Sequence, residues 1–347
     1  MIFRQDAFGR YNKQKVIRYT LVNQHGTKIS VLNFAGILQE FSVLDAGKRR
    51  QLLLKSDDLS NYTDNDLYLN HVVGRTAGRI KNASFPLNGQ NISLLENENG
   101  NSLHGGPQGF SFQFFQVEQA DDRGKIVLSK QMAAAEDGFP GDLLLTVSYE
   151  LSEDDRLTVT FAGRQTHADG VFNPTLHTYF NLADDEVGDI TGHNLWLNSD
   201  QHLAFDASKA PDGHLIVNQG PYDLKNQPDL GKALEQLQKT TSEGGFDDVF
   251  LLDPDNRAGT DSAAVITDRS SGRQVRLYST RNAIVAYSAD AIDRGLTFNH
   301  GAARPWAAMA LEAQTAPNSE NIPSLGDVVI KDGSTKTFSI DYQYCHL

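Results

Sequence analysis

The sequence predicts an all-β protein, and three observations carry that reading. Leu143, Leu145, Val147, Tyr149 and Leu151 alternate with Leu144, Thr146, Ser148 and Glu150. The pattern resumes after Glu153-Asp154-Asp155 with Leu157, Val159 and Phe161. Alternation of this kind belongs to a meander with one apolar and one polar face. Clusters of Gly, Asn, Asp and Pro punctuate the chain between short apolar runs, as turns between strands do. Only Leu230, Ala233, Leu234 and Leu237 recur at helical spacing, so one short amphipathic helix is expected.

The elements follow in order. Val16–Val22 and Lys28–Phe34 flank Asn23-Gln24-His25-Gly26 as a hairpin, and Ile37–Leu44 is a further strand. Ser56–Leu69 is polar and acidic, a loop with a turn of helix. Asp137-Gly138-Phe139-Pro140-Gly141 is the turn that leads the meander. In Phe172–Leu182, Asn173-Pro174 is a break, because proline lacks an amide donor and disfavours a helical residue before it. Beyond it Leu176, Thr178, Phe180 and Leu182 face one way, and Thr175, His177, Tyr179 and Asn181 the other. That polar row is either a solvated sheet face or the wall of a site. Leu195–Phe205 holds one or two strands, Pro211-Asp212-Gly213 reads as a turn, and Gly244–Leu252 is a turn feeding a strand. Arg273–Ser279 and Ala283–Ser288 form a further pair. In Ala307–Thr315 the strand period puts Glu312 on a face shared with Ala308, Ala310 and Gln314, which leaves room above the carboxylate. Phe338, Ile340, Tyr342 and Tyr344 close the chain on one face of a last strand. With no short repeat, low-complexity tract or linker, residues 1–347 read as a single domain.

The 347 residues carry a formal net charge of −13, which argues against a nucleic-acid or anionic-membrane surface and disfavours a strongly anionic substrate. The one cysteine, Cys345, allows no disulfide within the chain. Met1–Gln14 has no apolar signal core and no stretch reaches the length of a membrane span, so a cytoplasmic location is expected.

Five polar residues attract attention: Arg79, His104, His177, Asp247 and Glu312. Val72–Ile80 brings Arg75 and Arg79 close to Gly74 and Gly78. His104 precedes Gly105-Gly106, His177 lies on the polar row, Asp247 enters a strand, and Glu312 stands over alanines. The histidines are far apart, with no metal-ligand spacing, so no metal is expected. Gly-x-Ser-x-Gly, phosphate-loop and dinucleotide motifs are absent. A histidine and a glutamate without metal or nucleophile suit proton transfer, one giving and one taking.

Taken as an ordered set, Gly74–Ile80, Ser102–Gly106, Asp137–Gly141, Asn173–Leu182, Gly245-Phe246-Asp247 with Phe250-Leu251, and Leu311–Gln314 resemble the aldose 1-epimerase (galactose mutarotase) family over nearly the whole chain. The resemblance implies a β-supersandwich of large, mostly antiparallel sheets with few short helices. It implies interconversion of the α and β anomers of free aldohexoses such as galactose and glucose, with no cofactor or metal. Glu312 matches the general base at the C1 hydroxyl and His177 the general acid at the ring oxygen. His104 matches a second histidine near both, and Arg79 and Asp247 match sugar-hydroxyl ligands. The partner implied is a small sugar, with the protein a monomer or homodimer.

Three positions depart from the family pattern: Gly78 where many members carry asparagine, Asp248 where a histidine or asparagine is frequent, and Val285 where several use a glutamine that touches the sugar. The segment after Pro211 also matches poorly. These leave sugar preference open. A reducing disaccharide such as maltose is an alternative substrate, and a non-catalytic sugar sensor an alternative role. A phosphosugar would need a basic cluster, and the close pair among the matched motifs is Arg75 and Arg79.

Overall fold

In the computed structural model, residues 1–184, 188–253, 259–292 and 295–347 are described. Among the described residues, three large antiparallel sheets dominate the fold, beside five two-stranded ribbons. The first is a five-stranded meander: Ile2–Tyr11, Gln14–Val22, Lys28–Leu32, Leu38–Asp45 and Lys48–Gln51. Ile2–Tyr11 is an exposed, polar edge strand, which is why its sequence carries no apolar signal.

The second sheet has eight strands, in the order Gln116–Asp121, Lys125–Met132, Asp142–Leu151, Arg156–Thr166, Thr335–His346, Arg273–Ser279, Ala264–Asp268 and His193–Leu197. The alternating residues of the meander turn inward as expected: Leu143, Leu145, Val147, Tyr149, Leu157, Val159 and Phe161 are all fully buried. The C-terminal strand is inserted between Arg156–Thr166 and Arg273–Ser279, so the chain end stitches the middle of the sheet.

The third sheet carries the site. Its six strands run Thr178–Phe180, Met309–Gln314, Ala283–Tyr287, Asp247–Leu251, Gln201–Phe205 and Pro211–Val217. One face, with Phe250, Ile284, Met309 and Leu311, joins the inward faces of the other two sheets in one large core. Thr178 and Tyr342 hydroxyls hydrogen-bond across that core at 3.0 Å.

Three expectations are corrected. Arg273–Ser279 and Ala283–Tyr287 are not partners, because the chain leaves the eight-stranded sheet between them and enters the six-stranded one. Pro211 opens a strand rather than a turn. It sits at the first position of a sheet edge, where a missing N–H costs nothing. The single strand read over Thr175–Leu182 divides. Thr175–Leu176 pairs with Val72–Val73 and Thr178–Phe180 pairs with Met309–Gln314, with His177 at the break. The helix is Leu230–Thr240, capped by Asp229, whose carboxylate accepts the Lys232 N–H. It buries Leu230, Ala233, Leu234 and Leu237.

Candidate active site

The outer face of the six-stranded sheet is the floor of a cleft of about 640 Å³. Strand pairing fixes its tiling. Glu312 lies opposite Val285, and Val285 opposite Val249. One step along, Tyr179 and Tyr287 flank Ala310, and Asp247 lies opposite Tyr287. Side chains two apart on a strand share a face, so Glu312, Asp247, Tyr179 and Tyr287 belong to one surface. Ala308 and Ala310 lie near Glu312 on this strand, as the strand period suggested, yet the carboxylate is buried, at 2% exposure.

His177 reaches the carboxylate: its Nε2 is 3.4 Å from Glu312 Oε1. Its polar row does not meet water, since Thr175–Ala183 is buried throughout. The His177 ring is stacked on Tyr179 at 4.9 Å and lies near-parallel to Tyr68 at 6.3 Å. His104 stands edge-on to His177, ring centroids 5.3 Å apart. It is held by Gly78, whose carbonyl accepts the His104 N–H (3.0 Å) and whose own N–H donates to His104 Nδ1 (3.2 Å). With Nδ1 accepting, the neutral ring carries its proton on Nε2.

Two glycines permit this arrangement. A Cβ on Gly105 would lie 2.0 Å from the Gly74 carbonyl oxygen, so only glycine lets the histidine loop close on the arginine loop. A Cβ on Gly78, at φ +73°, would lie 2.4 Å from Pro317 Cβ. Pro317 thus fills the space that a side chain at this departed position would need.

Arg79 reaches down to Asp247 on this floor, Nη2 to Oδ2 at 3.5 Å. Arg79 also grips Glu98 through two bonds, Nε–Oε2 at 2.9 Å and Nη2–Oε1 at 2.8 Å. All five residues singled out in the sequence therefore line one cleft. Sequence reasoning missed Glu98 and Tyr68. Both lie in irregular polar segments, where no periodicity marks a side chain that tertiary folding will aim into a site. Arg75 is elsewhere: fully buried, it forms paired bonds with Asp137 at 2.7 and 2.9 Å and donates to the Pro140 and Gly141 carbonyls. This explains the Asp137–Gly141 motif as an internal clamp and removes Arg75 from any phosphate site. Asp248 also leaves the cleft, because strand alternation turns it away from the Asp247 face. Val285 does line the floor, so this departure makes the surface beside Glu312 apolar.

Burial governs the protons. It pushes the Glu312 carboxyl up to about 8, with the Asp247 charge adding and Arg79 opposing. It lowers His177 to about 4, and His104 falls well below its usual value through burial and the neighbouring His177 and Arg79 charges. The resting pair is thus a protonated carboxyl beside a neutral imidazole, the reverse of the ionised base and charged acid that the implied roles need. Between about pH 4 and about pH 8 the Glu312–His177 pair holds one proton, which burial places on the carboxyl. Ligand atoms of His104, His177 and Glu312 lie within 4.8 Å of one another, a donor set of two imidazoles and a carboxylate that could also close on a divalent ion.

The sequence pattern of the aldose 1-epimerase family matches residues 18–343. A maltose epimerase from Levilactobacillus brevis is 37% identical over 347 residues, covering 99% of both chains. An aldose 1-epimerase from Streptococcus thermophilus is 32% identical, covering 98% of this chain and 97% of its own. A galactose 1-epimerase structure from Lactobacillus acidophilus superposes with a TM-score of 0.84 at 22% identity, covering 99% of both chains, and shares the galactose mutarotase-like fold. The chain belongs to the aldose 1-epimerase family of isomerases.

Proposed function

We propose that the chain interconverts the α and β anomers of free aldohexoses such as glucose and galactose, with Glu312 as base and His177 as acid. The observation that carries this is the buried 3.4 Å approach of His177 Nε2 to Glu312 Oε1. Sugar hydroxyls and Arg79 stabilise the carboxylate form and move the pair's proton to His177. Glu312 then takes the C1 hydroxyl proton, the C1–ring oxygen bond breaks, and His177 protonates the ring oxygen. This leaves an open-chain aldehyde. Rotation about C1–C2 and the reverse transfers close the ring on the other face. His104 Nε2–H donates to the oxygen that carries the developing charge. Arg79 and Asp247 bind hydroxyls at the far side of the ring. All of this takes place in one domain spanning residues 1–347, in the cytoplasm, as a monomer or homodimer. A core continuous over three sheets supports the single domain.

The lining argues for an uncharged sugar. Among the described residues, Asp66, Glu98, Glu243, Asp247, Asp290 and Glu312 face the cleft against Arg79 as its one arginine or lysine. A phosphate would meet that field unfavourably. The cleft volume favours a second reading within the same chemistry. About 640 Å³ exceeds what one hexose ring needs, and a reducing disaccharide such as maltose would use the remainder.

Polarimetry tests the reading. Fresh α-glucose, α-galactose and a single maltose anomer should each relax faster with protein, saturably in sugar, and the ranking reports preference. Binding without acceleration would indicate a sensor. The pair's proton count sets the pH dependence. Below about pH 4 it gains a second proton and the base is lost. Above about pH 8 it loses its only proton and the acid is lost. The expected kcat/KM profile is therefore bell-shaped. A profile flat from about pH 5 to about pH 9 would contradict the assignment.

A further inference from the structure

We infer that the outer part of the cleft is a second sugar subsite, with Phe205 and Pro211 as its platform and Glu243 as its hydrogen-bond acceptor. The inference rests on the epimerase reading above and names where a second ring sits and which linkage it suits.

The spacing comes from the sheet. Glu312 and Asp247 lie two strands apart and two residues out of register, about 12 Å between backbones at the usual strand spacings. One pyranose ring hydrogen-bonded at both ends spans about that distance. A ring with C1 at Glu312 therefore presents the hydroxyl opposite C1 to Asp247 and Arg79. Gln201–Phe205 is the next strand outward, paired with Asp247–Leu251 at Gln201–Leu251 and His202–Phe250, so it lies one strand farther from Glu312, about 5 Å at the usual interstrand distance. Pro211, opposite Phe205 on the edge strand, extends the same surface. Phe205, Pro211 and Glu243 all line the cleft. An aromatic ring beside a proline offers an apolar plane to the C–H face of a pyranose, and the Glu243 carboxylate, paired with Lys209 and accepting the Ser242 hydroxyl at 2.9 Å, keeps further lone pairs for sugar hydroxyls.

The platform is built rather than incidental. Asp206, adjacent to Phe205, is paired with Lys81 at 2.6 Å and accepts the Ser208 hydroxyl and N–H. Asn101 donates to the Ser208 carbonyl at 2.7 Å, and Asn318 to the Pro211 carbonyl at 2.8 Å. The turn is thus tied to the loops that carry Arg79 and His104, and the plane is held ready before sugar arrives. The ligand class is a disaccharide with a free reducing end, linked through the hydroxyl opposite C1.

The test compares one maltose anomer with α-glucose in wild type, Phe205→Ala and Glu243→Gln. The ratio of kcat/KM for maltose to that for glucose should fall about tenfold in Phe205→Ala and severalfold in Glu243→Gln, mainly through KM for maltose. An unchanged ratio in both variants would overturn the subsite. Glu243 is on a surface loop, so its variant keeps the test decisive if Phe205→Ala misfolds. Wild type that accelerates neither sugar would instead overturn the epimerase reading itself, whereas wild type active on glucose with an unmoved ratio would overturn only the second subsite.

Discussion

Glu312→Gln should lower kcat by about 10²–10⁴-fold, the usual worth of a positioned general base. Glutamine keeps the shape and the 3.4 Å neighbour but cannot accept the C1 proton. The drop should appear in kcat rather than KM, because the residue acts on the atom whose bonding changes. The fold should survive. The unfolded carboxyl ionises near 4.5, whereas the buried one keeps its proton to about 8. Between those values folding takes up a proton, so the wild-type carboxyl contributes stability that declines as pH rises. Glutamine has no such slope. The variant should melt no lower than wild type at pH 8, and single-turnover polarimetry beside a melting curve checks both points. Near-normal kcat would mean that Glu312 is not the base.

Arg75→Met should destabilise the protein by about 3–5 kcal/mol, because it strands a buried carboxylate. Both side chains of the Arg75–Asp137 pair are essentially inaccessible, at 0% and 1% exposure. Arg75 also donates to the Pro140 and Gly141 carbonyls, which would lose their partner. Burial already holds the Asp137 carboxyl above its usual range, with Arg75 pulling it down. Without the guanidinium it would fold in the protonated form. The loss should therefore be largest near pH 8 and shrink toward pH 5, where protonation costs little. Urea melts at the two pH values give the difference through the shift in midpoint at constant slope. Adding Asp137→Leu should recover part of the loss, since the stranded charge is gone. A small and pH-independent effect would show that the clamp is not what closes this loop.

The meander of the eight-stranded sheet was legible because its alternation is complete: each of its strands buries one face in the core. Glu312 was legible for the same reason, because an alanine-lined face on a buried strand has no purpose as a solvated surface. The helix over Leu230–Thr240 was visible in its apolar spacing. Other features left no such trace. Ile2–Tyr11 is an edge strand with water on both faces, so no period distinguishes it from a loop. Arg75 and Arg79, four residues apart, look alike in sequence, and only the fold sends one to Asp137 and the other to Glu98 and Asp247.

By itself the sequence determined the all-β class, most of the strands, and the identities of the five polar groups gathered in the cleft, because short-range periodicity and residue chemistry are local properties. Tertiary structure alone decided how those groups act on each other. Sheet order set the distance from Glu312 to Asp247 and Phe205, and the break at His177 brought its imidazole to the carboxylate. Burial then raised the Glu312 carboxyl and lowered the His177 imidazole. Desolvation depends on everything packed around a group, and most of what surrounds Glu312 is distant along the chain.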